Sequence, residues 1–141
     1  MAHFDEKRFF TSLSLISAII ITGGDTNSGR SVEILREDGS YWCSLPDLPD
    51  DRFEHTQSGL VTCGGIGNDK STMHTSCLTF TDGQWRPSHQ LHDQRSRQSS
   101  WMSQQGLVIM GGMDRSSRTT TEILTDNGRS VPYFELKYQT R

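Results

Sequence analysis

Short apolar runs rich in β-forming residues recur along the chain, and three of them end in a glycine doublet. Each run has four residues, which is typical of a strand and too short for a helix. The doublets lie 41 and then 47 residues apart, and such spacing predicts repeated supersecondary units. The runs are Ile19–Thr22, Leu60–Cys63 and Leu107–Met110, and the doublets are Gly23-Gly24, Gly64-Gly65 and Gly111-Gly112.

A second set of landmarks shares a single offset. Trp42, Leu48 and Arg52 recur 43 residues later as Trp85, Leu91 and Arg95. One offset shared by three unlike residue types is hard to obtain by chance. A third short run also recurs, as Val32–Leu35, Cys77–Phe80 and Thr121–Leu124, and Asx-Gly turn signals precede the fourth strand of each unit at Asp38-Gly39, Asp82-Gly83 and Asp126-Asn127-Gly128.

Each unit therefore predicts four antiparallel strands. The first begins near the Arg, the second ends at the Gly doublet, and the fourth starts at the Trp. Sheets of this kind stack around an axis, so the expected fold is all-β, a partial β-propeller of about three four-stranded blades in an open ring. The units are approximately 18–50, 51–93 and 94–138, preceded by a poorly assigned segment or incomplete first strand at 1–17.

The glycines and tryptophans have expected structural roles. A Gly doublet suits a place where backbone passes close to backbone or where φ is positive. A Trp offers a large flat surface between neighbouring blades. Ile19–Thr22 is expected to be a buried strand, although the run Phe9–Ile21 could also be the core of a signal peptide.

These features together resemble the kelch repeat family. The resemblance rests on the apolar run with Gly-Gly, the Trp that follows it, and Arg52-Phe53-Glu54-His55. It implies a propeller that binds a protein partner. Three stretches further resemble kelch-type proteins of invertebrate animals, several of them secreted: Leu45–Pro49, His55–Gly59 and Thr75–Phe80. Some kelch-type propellers are similar to galactose oxidase or to sugar-acid isomerases, and this oxidase-like or sugar-modifying reading stays as an alternative.

The third unit departs from the repeat. Gln98 stands where His55 would recur, and 131–134 stands where a Trp is expected, so that Tyr133 or Phe134 would substitute. Four extra residues precede the third doublet, and the turn at 103–106 is expected to accommodate them. The first unit has no recognisable Arg-x-x-His segment.

Composition limits the partners. The 141 residues carry a formal charge of −3 from 14 basic and 17 acidic residues, without a basic run, which argues against nucleic-acid binding. The apolar run is too short and too rich in Ser for a membrane span. Material for three blades at most favours a fragment whose remaining blades belong to a longer chain, and the alternatives are self-association that completes the ring or an open, marginally stable array. A truncated remnant without its own function is a further alternative.

Three cysteines leave at least one thiol without a partner inside the chain. Cys63 and Cys77 would come within disulfide reach if their strands pair through a hairpin, in an oxidising compartment, and otherwise they are expected to be half-buried apolar thiols. Cys43 has no evident partner. A secreted or extracellular location is slightly favoured over a cytoplasmic one.

The sequence predicts neither an enzyme nor a cofactor. His89 and His92 are an odd number of residues apart, which on a strand puts them on opposite faces, so they are not expected to bind a metal. Tyr41, Tyr133 and Tyr138 show no copper-ligand pattern. His55 is expected to be a structural hydrogen-bonding residue. Asp47, Asp50 and Asp51 are interpreted as a solvated acidic cluster.

The predicted function is partner binding through the loops that follow the Gly-doublet strands, because loops on a rigid sheet commonly carry recognition. These loops are Asp25–Arg30, Ile66–His74 and Met113–Arg118, and their candidate binding residues are Arg30, Lys70, Arg115 and Arg118. That these loops merely keep the protein soluble stays an equal alternative.

Overall fold

The computed structural model describes residues 18–23, 29–36, 38–40, 42–113 and 119–137, and within them it contains strands and no helix. The strands form three antiparallel sheets, each built from consecutive strands in chain order. The strands are β1 (Ala18–Thr22), β2 (Val32–Arg36), β3 (Trp42–Leu45), β4 (Thr56–Ser58), β5 (Val61–Cys63), β6 (Ser76–Thr81), β7 (Gln84–Gln90), β8 (Ser99–Ser103), β9 (Gly106–Met110), β10 (Thr120–Leu124) and β11 (Ser130–Glu135).

The sheets are meanders. The first sheet has the order β1-β2-β3, the second β4-β5-β6-β7, and the third β8-β9-β10-β11. Short turns that contain Gly or Asx make half of the connections between consecutive strands within the sheets, and they bring neighbours in sequence together in space. The predicted fold class is confirmed: the protein is an all-β partial propeller.

The sheets pack face to face through two apolar cores. The first core lies between sheets one and two and includes Val32, Ile34, Phe80 and Trp85. The second lies between sheets two and three. It contains Cys63, Cys77, Leu91, Leu107, Ile109 and Leu124. Because an isolated sheet of this size cannot bury its own apolar face, each blade depends on its neighbour for stability.

The first strand of each complete sheet begins later than predicted. β4 and β8 start four residues after Arg52 and Arg95. Between each Arg and its strand lies a residue in the left-handed region, Glu54 at φ 55° and Arg97 at φ 54°. Such a φ cannot continue a strand, so the chain turns there before pairing begins.

The four extra residues of the third unit do not lengthen its turn. The hairpin β4–β5 has three paired positions around a two-residue turn, and β8–β9 has five around a turn of the same length. Each strand is thus two residues longer. The prediction that the segment 103–106 absorbs the insertion was wrong, because extra β pairing satisfies more backbone groups than a longer loop does.

The tryptophans do not all lie between blades. Trp85 is 7% exposed and packs in the first core, whereas Trp42 is 53% exposed on the outer face of sheet one. The strand Ile19–Thr22 is likewise half-exposed and not buried as expected, since Ile19 and Ile21 share that outer face. The sequence pattern could not show this, because burial depends on whether another sheet covers the face.

The predicted aromatic substitute for the third Trp was also wrong. Trp42 pairs across the sheet with Leu35, and Trp85 pairs with Phe80. In the third sheet the residue opposite the corresponding Leu124 is Ser130, not Tyr133 or Phe134. Ser130 is buried and makes polar contacts there.

Candidate functional site

The loops that enter β4 and β8 and those that leave β5 and β9 meet at one end of the sheets, here called the doublet end. Its centre is occupied by two fully buried arginines, Arg52 and Arg95. The Arg52 guanidinium donates to the carbonyls of Gly64 at 3.0 Å and Ser76 at 2.7 Å, and to the Ser76 hydroxyl. It therefore satisfies carbonyls where β5 ends and β6 begins, and so holds the second Gly doublet in place.

Arg95 repeats this arrangement one blade later. It donates to the carbonyl of Gly111 at 2.7 Å and to the carbonyl and hydroxyl of Thr120 at 3.0 and 2.6 Å. The repeated Arg is thus a clamp between the second and third strands of its own blade. The sequence identified both arginines as repeat-defining residues but did not predict their contacts.

The carboxylates that neutralise the two arginines differ. Asp50 receives two hydrogen bonds from Arg52, at 2.7 and 3.1 Å. Asp50 is therefore an ion-pair partner of Arg52 as well as a side chain that is 39% exposed to solvent. The 43-residue offset relates Asp50 to Asp93 and could have revealed the pair, yet Asp93 lies 3.5 Å from Arg95 and is secondary there.

The main partner of Arg95 is Glu122, which is 1% exposed on β10. Glu122 accepts from the Arg95 Nε at 2.8 Å and from the backbone N–H of His92 at 2.7 Å. It also accepts from the hydroxyl of Ser130 and, at 3.2 Å, from the N–H of Asp93. The Glu122 carboxylate can be buried because these hydrogen bonds and the Arg95 charge replace the water that it loses on burial. Sequence reasoning missed Glu122 entirely.

The described glycines of the doublets all meet the predicted condition of positive φ, and Gly23, Gly64 and Gly65 also meet the condition of close backbone approach. Gly64, Gly65, Gly111 and Gly112 all have positive φ, as does Gly23, while Gly24 lies outside the described residues. A Cβ on Gly64 would fall 2.6 Å from the carbonyl oxygen of Arg95. The chain entering the next blade therefore passes directly over the doublet.

His55 links the first two blades. Its Nε2 lies 2.6 Å from the hydroxyl of Thr22 at the end of β1, and its Nδ1 lies 3.1 Å from the carbonyl of Arg52. Gln98 takes the corresponding place in the next blade and donates to the carbonyl of Cys63 at 2.7 Å. Burial lowers the pKa of His55, so the neutral ring is the form that fits this junction.

We expect acid to loosen this junction through His55. The folded-state pKa lies below the ordinary value of 6.5, so stability is complete above that value and falls as the pH drops below it. His55→Gln should abolish this part of the pH dependence, because Gln does not titrate. Urea unfolding of both proteins from pH 7.5 to pH 5 measures the difference. Equal pH slopes for wild type and variant would contradict the assignment.

The second blade also contains a disulfide, between Cys63 on β5 and Cys77 on β6. The two residues are direct partners in the register, which explains how their sulfur atoms meet. Both are buried in the core between sheets two and three. Cys43 is a free, half-buried thiol. A disulfide that closes a loop of this length ordinarily stabilises the folded state by about 3 kcal/mol.

The predicted binding residues lie in different settings. Lys70 is exposed at φ 56° in the loop after β5. Arg30 is exposed as well, but its Nε donates to the carbonyl of Leu48 at 2.7 Å, which ties it to the linker between blades. Arg115 and Arg118 lie outside the described residues. Of the two candidates that the structure describes, Arg30 is bonded to the scaffold through its side chain, and Lys70 is the one with no such bond.

The histidines predicted not to bind a metal lie on separate segments. His89 is on β7 beside the Ser88 hydroxyl, at 3.1 Å, and His92 lies in the linker 3.1 Å from Asp93. Among the described residues no three His, Cys, Asp or Glu side chains gather in a way that could hold a metal ion. In that part of the chain there is also no helix of the length and apolarity needed to cross a membrane.

The three stacked meanders define a protein of the β-propeller class. No family model matches the chain, and no curated protein matches it. Among solved structures, that of YjhT is similar, with a TM-score of 0.61 and 19% identity over 83% of this chain. At this identity the likeness concerns the fold alone. The chain spans 42% of the YjhT chain.

Proposed function

We propose that the protein is a partner-binding module made of kelch-type repeats, which recognises a protein through the loops that follow its Gly-doublet strands and carries out no chemistry of its own. The proposal is supported by the construction of the doublet end. Buried arginine clamps hold the base of the loops after β5 and β9, and rigid loops bind at a low entropic cost. The repeat pattern of Gly doublets, Trp and Arg-x-x-His supports the family part of the proposal.

The loop after β5 is the observation that carries this proposal. The N–H of Gly67 donates to the carbonyl of Thr72, and the N–H of Lys70 donates to that of Gly67. The Asp69 carboxylate accepts from the N–H groups of Ser71 and Thr72 at 3.0 and 2.8 Å. An exposed loop with this many internal bonds presents Lys70 in one defined position.

The charge of this loop is also defined. The pKa of Asp69 lies well below its usual value of 3.8. The main cause is the hydrogen bond from the Thr72 hydroxyl, followed by the one from the Thr72 N–H. Asp69 is therefore ionised at any physiological pH, next to the cationic Lys70. An adjacent pair of opposite charges in a fixed geometry suits a partner with a complementary pair, and it contributes more to specificity and association rate than to affinity.

We expect Lys70→Glu to weaken partner binding about three- to tenfold, mainly through the association rate. The partner is first captured by crosslinking and identified, and its affinity for the purified proteins is then measured by calorimetry at two salt concentrations. Arg129→Glu is the matched control, because Arg129 is exposed in the turn at the opposite end of the third sheet. A partner that binds Lys70→Glu and wild type equally, or no partner at all, would contradict the proposal.

A further inference from the structure

The outer face of the first sheet carries four apolar side chains around the exposed Glu33, although no described sheet covers it. Ile19, Ile21 and Trp42 are 54%, 46% and 53% exposed, and Leu35 lies beside them. The register relates these four to positions in the second sheet that are covered. The matching residues there are Leu60, Thr62, Phe80 and Trp85, which are buried or packed against the first core. Glu33 holds the position of the buried Leu78 and of the buried Glu122, so the outer face has the composition of a covered blade face that includes a carboxylate, as in the third sheet.

The second sheet shows what such a face packs on. The indole N–H of Trp85 donates to the carbonyl of Pro46 at 2.9 Å, in the linker that leaves the first sheet. The same core contains Leu48 from that linker and Ile34 from β2. The sheet face that carries Trp85 thus packs against an apolar strand face, next to a leucine and a backbone carbonyl of the linker.

The third sheet presents two parts of this packing surface on its own outer face, an apolar strand face and a linker leucine, while the carbonyl equivalent to that of Pro46, the carbonyl of Phe134, also accepts from the Thr121 hydroxyl. The N–H of Leu136 donates to the carbonyl of Thr119, as Leu48 donates to Arg30 and as Leu91 donates to Thr75. Leu136 is therefore the third linker leucine. Leu48 is 0% and Leu91 is 3% exposed, but Leu136 is only half-buried.

Two further exposed side chains extend this acceptor face. Val131, which is 42% exposed, pairs with Ile123 as Cys43 pairs with Ile34 in the first sheet. Trp101 is 55% exposed on the same cross-strand row as Val108 and Ile123. Val108 and Ile123 are themselves 0% and 8% exposed, so Val131, Trp101 and the half-buried Leu136 are the apolar side chains that this face presents.

We propose that the protein self-associates head to tail, with the Trp42 face of one copy packed on the Val131 and Leu136 face of a second copy. The new contact continues the interface between sheets one and two, because the same positions of the repeat meet. Two copies joined in this way at both ends have six sheets, which is within the four to eight blades of closed propellers. This association is independent of the partner-binding loops.

The test is sedimentation equilibrium of the purified 141-residue chain across a wide concentration range. We expect twice the monomer mass for the wild type, and monomers for Trp42→Asp and for Leu136→Asp. Met102→Asp is the control, since Met102 is equally exposed at the end of β8 and outside both faces, and it should remain dimeric. Circular dichroism of each variant checks that the sheets persist.

Mixing the two variants separates this arrangement from a symmetric one. A head-to-tail contact needs one intact Trp42 face and one intact Leu136 face, so the mixture should form a two-chain complex although each variant alone does not. The proposal is overturned if the wild type is monomeric, if Leu136→Asp remains dimeric, or if the mixture stays monomeric. Loss of loop-mediated partner binding would leave these masses unchanged, so the two proposals fail separately.

Discussion

Glu122→Ala is expected to lower the free energy of unfolding by about 3–5 kcal/mol, because it leaves the fully buried Arg95 without its main counter-ion. The change also removes the acceptor for the N–H groups of His92 and Asp93. Urea unfolding followed by fluorescence measures the loss. Asp93, at 3.5 Å from Arg95, is too far away to replace the missing carboxylate fully.

Glu33→Ala is the matched control for this change. Glu33 and Glu122 hold equivalent positions in the first and third sheets, but Glu33 is exposed on the outer face. We expect it to change stability by less than about 0.5 kcal/mol. Comparable losses for the two variants would show that the Arg95 junction is not what makes Glu122 important.

The acid response of Glu122→Ala gives an independent readout. Burial acts to raise the pKa of Glu122, but hydrogen bonds from Ser130 and His92 and the Arg95 charge outweigh it, so the pKa lies below its usual 4.5. The ionised carboxylate therefore stabilises the fold above pH 4.5, and that stability is lost as the pH falls through the lowered pKa. Glu122→Ala should lack this part of the acid unfolding.

Gly64→Ala is expected to cost about 2–4 kcal/mol, since it combines two penalties. Ala at φ +64° is strained by about 1–2 kcal/mol, and its Cβ would fall 2.6 Å from the carbonyl oxygen of Arg95, so that the next blade must shift. The free energy of unfolding from urea titration measures the sum.

Gly39→Ala isolates the first of these penalties. Gly39 has φ +67°, but a Cβ there would meet nothing within 4 Å. We expect a loss of only about 1–2 kcal/mol, which is the conformational strain alone. If both variants lose the same amount, close passage of the chain over the doublet does not explain why Gly64 is a glycine.

The strands of the fold could be predicted because their signals are local. Four-residue apolar runs, Asx-Gly turns and a 43-residue offset are all visible within one or two repeats. The same offset also marked Arg52 and Arg95 as equivalent. Their partners could not be predicted in the same way, because Arg52 uses Asp50, two residues away, and Arg95 uses Glu122, 27 residues away on another strand.

The binding loops were predictable only as loops. Their polar composition and position after the Gly doublets are features of the sequence, and the ordered turn around Asp69 follows from the Asx chemistry of Asp69. That Arg30 is tied to the carbonyl of Leu48, whereas Lys70 is not, depends on how the linker folds back past the loop. A count of charges cannot distinguish a structural cation from an available one.

The amino-acid sequence by itself determined the repeat, the strands and the conformation of the glycines, because these depend on residue types and on spacings along the chain. Tertiary structure alone decided that Trp85 is buried and Trp42 exposed, and that Ser130 and Glu122 act where a Trp and a Leu stand in the preceding blade. The physical reason is that burial and ion pairing are properties of two surfaces in contact. A repeat reveals one of those surfaces but not the surface that covers it.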